Sequence, residues 1–436
     1  MSKQSLLASV PGKGRRRQPL PPRQKIKLRS GFGWTVVALV WAGLVIDGCE
    51  SWSTWQPPQP LVWGLRQNTR IREDFSGSVL QSITSDHLES TMETSTTTSQ
   101  DATSIAIIDC STLTLLEHIN LNTPTQESVL EFYFTVLGCG MDPRKASNLL
   151  PSSKKKTIWA NGGASQFHLP YGDTAQRIPG KIGLRYDSLA PLKQRVLAAS
   201  DGCVKEWTEE TDGTQITSLR LVDVHDNVFL CRLGGNPVSE LSWKQPVIRN
   251  TPADCEKWGS DIINRFAIAE GAETDCRGMD FVEFYCPRGT AEKIALFYDS
   301  VLDATTCVLT DANDNDTKVT MIAIGNVKQS GQADQSILFR ETDGPIPSYD
   351  GHHIALYVGQ SAADFEQAFR NAQLAGIVWV NPRFDDQAMT LQGAKKWQQF
   401  RFKNIVDMET GKTIFELEHE MRSIEHEAWP GPRVMR

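Results

Sequence analysis

At 436 residues and 48.6 kDa the chain is too long for one small domain and should hold two or three cores. Its composition, 40% hydrophobic and 22% charged with a net charge of -7, is globular and gives no global reason for nucleic-acid binding. No phosphate-cradling glycine loop, serine nucleophile elbow or nucleotide fingerprint occurs. None of the nine cysteines forms a Cys-x-x-Cys pair, which argues against a zinc knuckle or a thioredoxin-type site.

Residues 1–30 read as a disordered basic tail: Lys13, Arg15, Arg16, Arg17, Arg23, Lys25, Lys27 and Arg29 crowd a Pro-rich stretch without acidic residues. The apolar run from Gly31 to Ile46, closed by Asp47, follows it. A spanning helix wants roughly 20 apolar residues, so this run is short for an anchor and long for a secretory h-region. Two main readings are open for 31–47, an uncleaved signal-anchor or transmembrane helix and a secretory leader, with organelle targeting as a further one. Either of the first two places the rest of the chain in a lumen or outside the cell, as a single-pass membrane protein or a secreted one. Residues 48–111, dense in Ser and Thr between Ser76 and Ser104, read as a disordered spacer.

From about Thr112 apolar periodicity returns. Leu116 to Asn122 alternates as a strand, Pro124 opens a helix, and Val129, Leu130, Phe132, Tyr133, Val136 and Leu137 fall at helical spacing before Gly138. Strands follow at Thr157 to Asn161 and Ser165 to Leu169. The order recurs later: Phe281 to Tyr285 as a strand, then Pro287, then a helix in which Phe297-Tyr298 and Val301-Leu302 match Phe132-Tyr133 and Val136-Leu137. Each half has a second strand start, Lys181 to Leu184 and His353 to Leu356, preceded by Gly and followed by helices at Leu189 to Ala199 and Ala362 to Ala375. The chain is therefore read as four modules in two pairs, spanning 112–236 and 278–426, with 237–277 as connector.

Paired strand-helix-strand-strand-strand modules resemble the vicinal oxygen chelate superfamily, which includes glyoxalase I, bleomycin-resistance proteins, fosfomycin-resistance enzymes and extradiol dioxygenases. The most telling stretches are HINLN from His118, GASQFHLPYGDTAQRIPGKIGL, and GKTIFELEHE near the end. The resemblance implies an α+β fold of four βαβββ modules curled pairwise into two U-shaped sheets. It also implies up to four cavity ligands, from the first and last strands of paired modules. In the first pair these positions hold His118, His168, Lys181 and a residue near Leu230; in the second, Phe281, Phe339 or Arg340, His353 and Glu416. Alternation supports the histidines. With Ile119 and Leu121 facing the helices, His118 and Asn120 face the cavity, and likewise His168 between Phe167 and Leu169.

His118 and His168 are thus candidate metal ligands in the first domain, and His353 and Glu416 in the second. Lys181, Arg185 and Asn120 are candidates for binding substrate, and Phe281, Tyr285 and Tyr357 are expected to line the second cavity. The resemblance implies a glyoxalase-like protein, with a divalent ion (zinc, nickel, manganese or iron) serving as Lewis acid in a lyase or isomerase acting on a small anionic or carbonyl-bearing compound. A metal-free small-molecule binder and a non-catalytic scaffold stand beside it, because half of each ligand set is missing. No catalytic proton carrier can be named. The expected partners are a small molecule, the membrane and, through edge strands, a second copy of the chain.

Overall fold

The structure, a computed structural model, describes residues 107–431 except 125, 151, 155–156, 239–244, 312–313 and 329. The basic tail, the apolar run Gly31 to Ile46 and the Ser/Thr-rich stretch lie outside the described residues. Among the described residues no helix is long and apolar enough to cross a membrane.

Four βαβββ modules make up nearly all of the described chain. The first holds β2 (Leu113–Asn120), β3 (Gly140–Met141), β4 (Ile158–Gly162) and β5 (Ser165–Leu169), preceded by the short strand β1 (Ile107–Cys110). The second holds β6 (Gly180–Tyr186), β7 (Val204–Thr211), β8 (Ile216–Asp223) and β9 (Val228–Leu233). In the third are β10 (Gly278–Pro287), β11 (Thr306–Asp311), β12 (Asp314–Lys328) and β13 (Ala333–Thr342). The fourth has β14 (His353–Val358), β15 (Val378–Trp379), β16 (Gln399–Val406) and β17 (Thr413–Ser423).

After its first strand each module inserts a helix whose apolar stripe covers one face of a sheet. The first helix runs Gln126–Leu130 and widens into a π-helical stretch, Glu131–Val136, that buries Phe132, Tyr133 and Phe134 in succession. Gly138 follows in the left-handed region, φ +71°, where the sequence placed the stop. Its counterpart, Ala291–Leu302, ends at Asp303, also left-handed at φ +50°. The other two are Ala190–Ala198 and Ala362–Leu374, the latter opened by a reciprocal capping box between Ser361 and Asp364.

The modules do not pair in chain order. One sheet runs β15-β16-β17-β14-β2-β5-β4-β3, joining the first module to the fourth. The other runs β1-β12-β13-β10-β6-β9-β8-β7, with β11 on β12, joining the second to the third. Within modules the first and last strands are parallel, β2 with β5 and β14 with β17. Between modules the two first strands meet antiparallel, β14 with β2 and β10 with β6. This corrects the expected pairing of first with second and third with fourth. Alternation reports which face a side chain takes but carries no signal for which edge strand it meets.

The connector is also more structured than a linker. It carries helices Pro252–Trp258 and Ser260–Phe266, and Phe266 lies edge-on to Phe134 of the first module, with centroids 5.3 Å apart.

Candidate metal centre

Register across the first-fourth sheet sets the site. One row of Cα partners crosses the strands as Glu420, Ala355, His118 and Gln166, and the next as Glu418, His353, Asn120 and His168. Ile119, Ile354, Leu417 and Met421 alternate with these residues and enter the apolar core, so the row residues take the concave face. Ala355 lies between Glu420 and His118 and leaves room for them to approach.

His118 Nε2 is 3.4 Å from His353 Nε2 and 3.9 Å from a Glu420 carboxylate oxygen, and His353 Nε2 is 3.5 Å from that same oxygen. Metal–ligand bonds of about 2.1 Å at tetrahedral angles would set donor atoms about 3.4 Å apart, close to these spacings. Among the described residues this is the group of His, Cys, Asp and Glu side chains gathered closely enough to hold an ion, and all three are buried.

What surrounds the donors fits a cation as well. A bulge in β2 lets Glu117 share the concave face with its neighbour His118. His118 Nδ1 lies 3.2 Å from Glu117 Oε2, so an N–H donated there leaves Nε2 bare toward the other donors. Burial pushes the His118 imidazole well below its ordinary range, which keeps it neutral as a ligand must be. Burial also raises the Glu117 carboxyl, although Arg422 opposes this and hydrogen-bonds to it. For Glu420 burial acts upward too, but the guanidiniums of Arg401 and Arg422 override it and hold the carboxyl well below its usual value. Arg401 donates to Glu420 Oε2 at 2.6 Å and to Glu418 Oε1 at 2.8 Å, and also pairs with Asp386 at 2.9 Å. The buried cluster thus sets four carboxylates, Glu117, Glu418, Glu420 and Asp386, against two guanidiniums. Carboxylates outnumber guanidiniums here, a setting that suits a bound cation.

The remaining sequence candidates take other places. His168 lines the same cavity but outside the donor group. Its ring stacks between His118, 3.7 Å away, and Trp159, 4.2 Å away, and its Nε2 is 3.0 Å from Gln166 Oε1. Glu416 sits on the rim, half-exposed and paired with Lys403 at 2.9 Å; the carboxylate at the centre is Glu420, four residues further along the same face of β17. Asn120 lies between His353 and His168 with its amide nitrogen buried and unpartnered.

Lys181 and Arg185 belong to the other sheet, not to the cavity of the histidines. There Arg185 donates to Asp280 at 2.8 Å and to the Leu233 carbonyl at 3.0 Å. Phe281, Leu309, Val319, Met321 and Leu338 form an apolar cluster beside it. The Phe281 ring lies so closely over Gly183 that a Cβ there would meet it at 2.3 Å, and it fills the position matching the donors of the first sheet. Phe339 points into the core, Arg340 pairs with Glu283 and Asp311, and Tyr357 is on β14 in the histidine-bearing sheet.

Glu420, Glu117, Arg401 and Arg422 escaped the sequence reading. The signal for Glu420 was present, since Glu416, Glu418 and Glu420 share one parity in GKTIFELEHE. Choosing among them requires the register with β14.

Fold and donors together define a paired-module α+β protein with a concave histidine–carboxylate centre. The architecture, four βαβββ modules curled two by two, is the one that the resemblance to the vicinal oxygen chelate superfamily implies. No family model and no curated protein matches the chain. Among solved structures, glyoxalase I from Zea mays is similar at 11% identity over 71% of this chain and 92% of its own, with a TM-score of 0.41. A putative dioxygenase from Bacillus subtilis is similar at 12% identity over 74% of this chain and 91% of its own, also at 0.41. A fosfomycin resistance protein from Listeria monocytogenes, solved with Mn(II) and a dihydroxypropylphosphonic acid, matches 33% of this chain and 89% of its own at 13% identity and a TM-score of 0.21. At this identity and degree of superposition these are likenesses only, and it is strand order and module pairing that carry the architecture.

Proposed function

We propose that the protein is a metal-assisted, glyoxalase-like enzyme whose centre lies in the sheet of the first and fourth modules and acts on a small carbonyl-bearing or anionic compound. The observation that carries this reading is the convergence of His118, His353 and Glu420 from two distant modules at the spacing of ligands on one ion. These three residues would hold the cation. When bound, it supplies Lewis-acid polarisation of a carbonyl or a vicinal pair of oxygens. Glu117 holds the tautomer of His118, Arg401 and Arg422 orient Glu420, and the His168–Trp159 stack walls one side of the cavity. A lyase or isomerase also has to move a proton. Glu418 is held by Arg401 and Asn381, and burial drives His168 well below its ordinary range, so His168 faces the cavity as a neutral imidazole.

A second reading, a metal-free small-molecule binder, draws on the same geometry. The two Nε2 atoms are close enough to share a hydrogen bond, and Glu420 already has two guanidinium partners. Elemental analysis of the purified full chain separates the two. The enzyme reading expects about one divalent ion per chain, lost in His118→Ala and His353→Ala and strongly reduced in Glu420→Gln. Substoichiometric metal that ignores all three substitutions would sink it and leave the second reading.

A further inference from the structure

The site also carries information about the charge of what it binds. Between β15 and the helix Leu391–Trp397 the chain makes an excursion that folds over the donor group. Asn381 ties it down by donating to Glu418 at 2.8 Å, and Asp386 by accepting from Arg401. Between these anchors the Phe384 ring stands edge-on to His353, centroids 5.8 Å apart, with the Arg401 guanidinium 4.4 Å over its face. Arg383, beside it, reaches across to the opposite lip of the cavity. There it donates to the side-chain oxygen of Asn122 at 3.2 Å, just past the end of β2.

Two features of this arrangement are unspent. Arg383 is exposed and has no carboxylate partner among the described residues, whereas Arg401 and Arg422 below it are both saturated by carboxylates. Two residues before Asn122, at the end of β2, Asn120 is 5% exposed, and its amide nitrogen finds no acceptor. A buried donor without an acceptor is seldom tolerated unless something else supplies one. A cation and a buried N–H donor facing one cavity suit an oxyanion.

Resting on the reading of this cavity as a small-molecule site, we infer that Arg383 and Asn120 select a ligand bearing a carboxylate or phosphate-like group. Asn120 donates to one of its oxygens deep in the cavity, and Arg383 exchanges Asn122 for the anion at the mouth. Arg383 is then a specificity-determining residue, and Phe384, held by Arg401, limits the ligand to a small one.

The test titrates the full chain with oxalate, with inorganic phosphate and with neutral oxamide by calorimetry, before and after loading with Zn²⁺. The expected result is binding of at least one anion, at least tenfold tighter than oxamide. Arg383→Gln should weaken it at least tenfold with unchanged Zn²⁺ content and thermal transition, and Asn120→Asp, which replaces the buried donor by a carboxylate, should abolish it. Equal affinity for oxalate and oxamide, an unaffected Arg383→Gln, or no anion binding in either form would overturn the inference. The metal reading is judged separately by the ion content of His118→Ala, so anion selectivity without metal, or metal without anion selectivity, shows which of the two has failed.

Discussion

Ala355 shows how much of the site depends on one small side chain. It is the Cα partner of both Glu420 and His118, and it is fully buried between them on the concave face. A larger residue would occupy the space in which the donors meet, as Phe281 does over Gly183 in the other sheet. Ala355→Leu is therefore expected to lower Zn²⁺ content to background. Overpacking at such a position costs about 1–3 kcal/mol, so cooperative unfolding should persist with a lower midpoint. Elemental analysis together with urea unfolding checks this; retained metal would mean that the donors do not converge over Ala355. At this scale the sequence was most legible for parity. His118, Asn120 and His168 all take the face that alternation assigned them. Glu416 takes that face as well, yet stands on the rim, because four residues along a strand span roughly 13 Å without changing parity.

Among the elements, β2 departs most instructively from a regular strand. Its bulge sets Glu117 and His118 on one side, whereas strict alternation would send Glu117 toward the helices. Nothing in LLEHIN announces the bulge, and the carboxylate behind the histidine was missed for that reason. Glu117→Gln keeps the shape and removes the charge. Outer-shell partners of this kind are worth about 10–100-fold in metal affinity, so Zn²⁺ binding should weaken by that factor, and the thermal transition should fall because Arg422 loses a buried carboxylate partner. Competition against a chromophoric chelator measures it, and unchanged affinity would remove Glu117 from the account. The elements around the site are irregular in a second respect. β3 and β15 are two-residue strands followed by long excursions, while their counterparts β7 and β11 run directly into full hairpins. Both excursions thus belong to the histidine-bearing sheet, and the later one supplies Asn381, Arg383, Phe384 and Asp386. Helices and strands of the modules were legible from period and repeat, but these excursions follow no period and their contacts could not be anticipated.

For the whole molecule the nesting of modules decides what can stand alone. The two halves suggested by the internal repeat, 112–236 and 278–426, each contain one module from each sheet, so neither contains a complete sheet. Expressed separately, each half should be insoluble or unfolded. Co-expressed, they should form a folded complex that binds metal, whereas a fragment without the fourth module should bind none. Chromatography and elemental analysis of the four preparations test this. A folded, metal-binding half on its own would contradict the nested pairing. The apparent failure of both ligand sets is explained at this scale as well. The retained histidines of the leading and trailing modules, His118, His168 and His353, belong to one sheet, and the positions without a donor, Lys181, Leu230, Phe281 and Phe339 or Arg340, belong to the other. The repeat revealed that modules pair; which ones pair is a property of edge-to-edge register that internal similarity does not encode.

The same nesting imposes a delay during synthesis. His118 and His353 are 235 residues apart in the chain. At about 5–20 residues per second the ribosome needs on the order of 10–50 s to deliver the second after the first. Through that interval β2 has β5 on one flank and nothing on the other, an open edge half of whose residues are leucine or isoleucine, while the second and third modules can already close on each other. The middle of the chain can therefore be folded before its ends meet, and the nascent protein must shield the unfinished edge of its own future cavity.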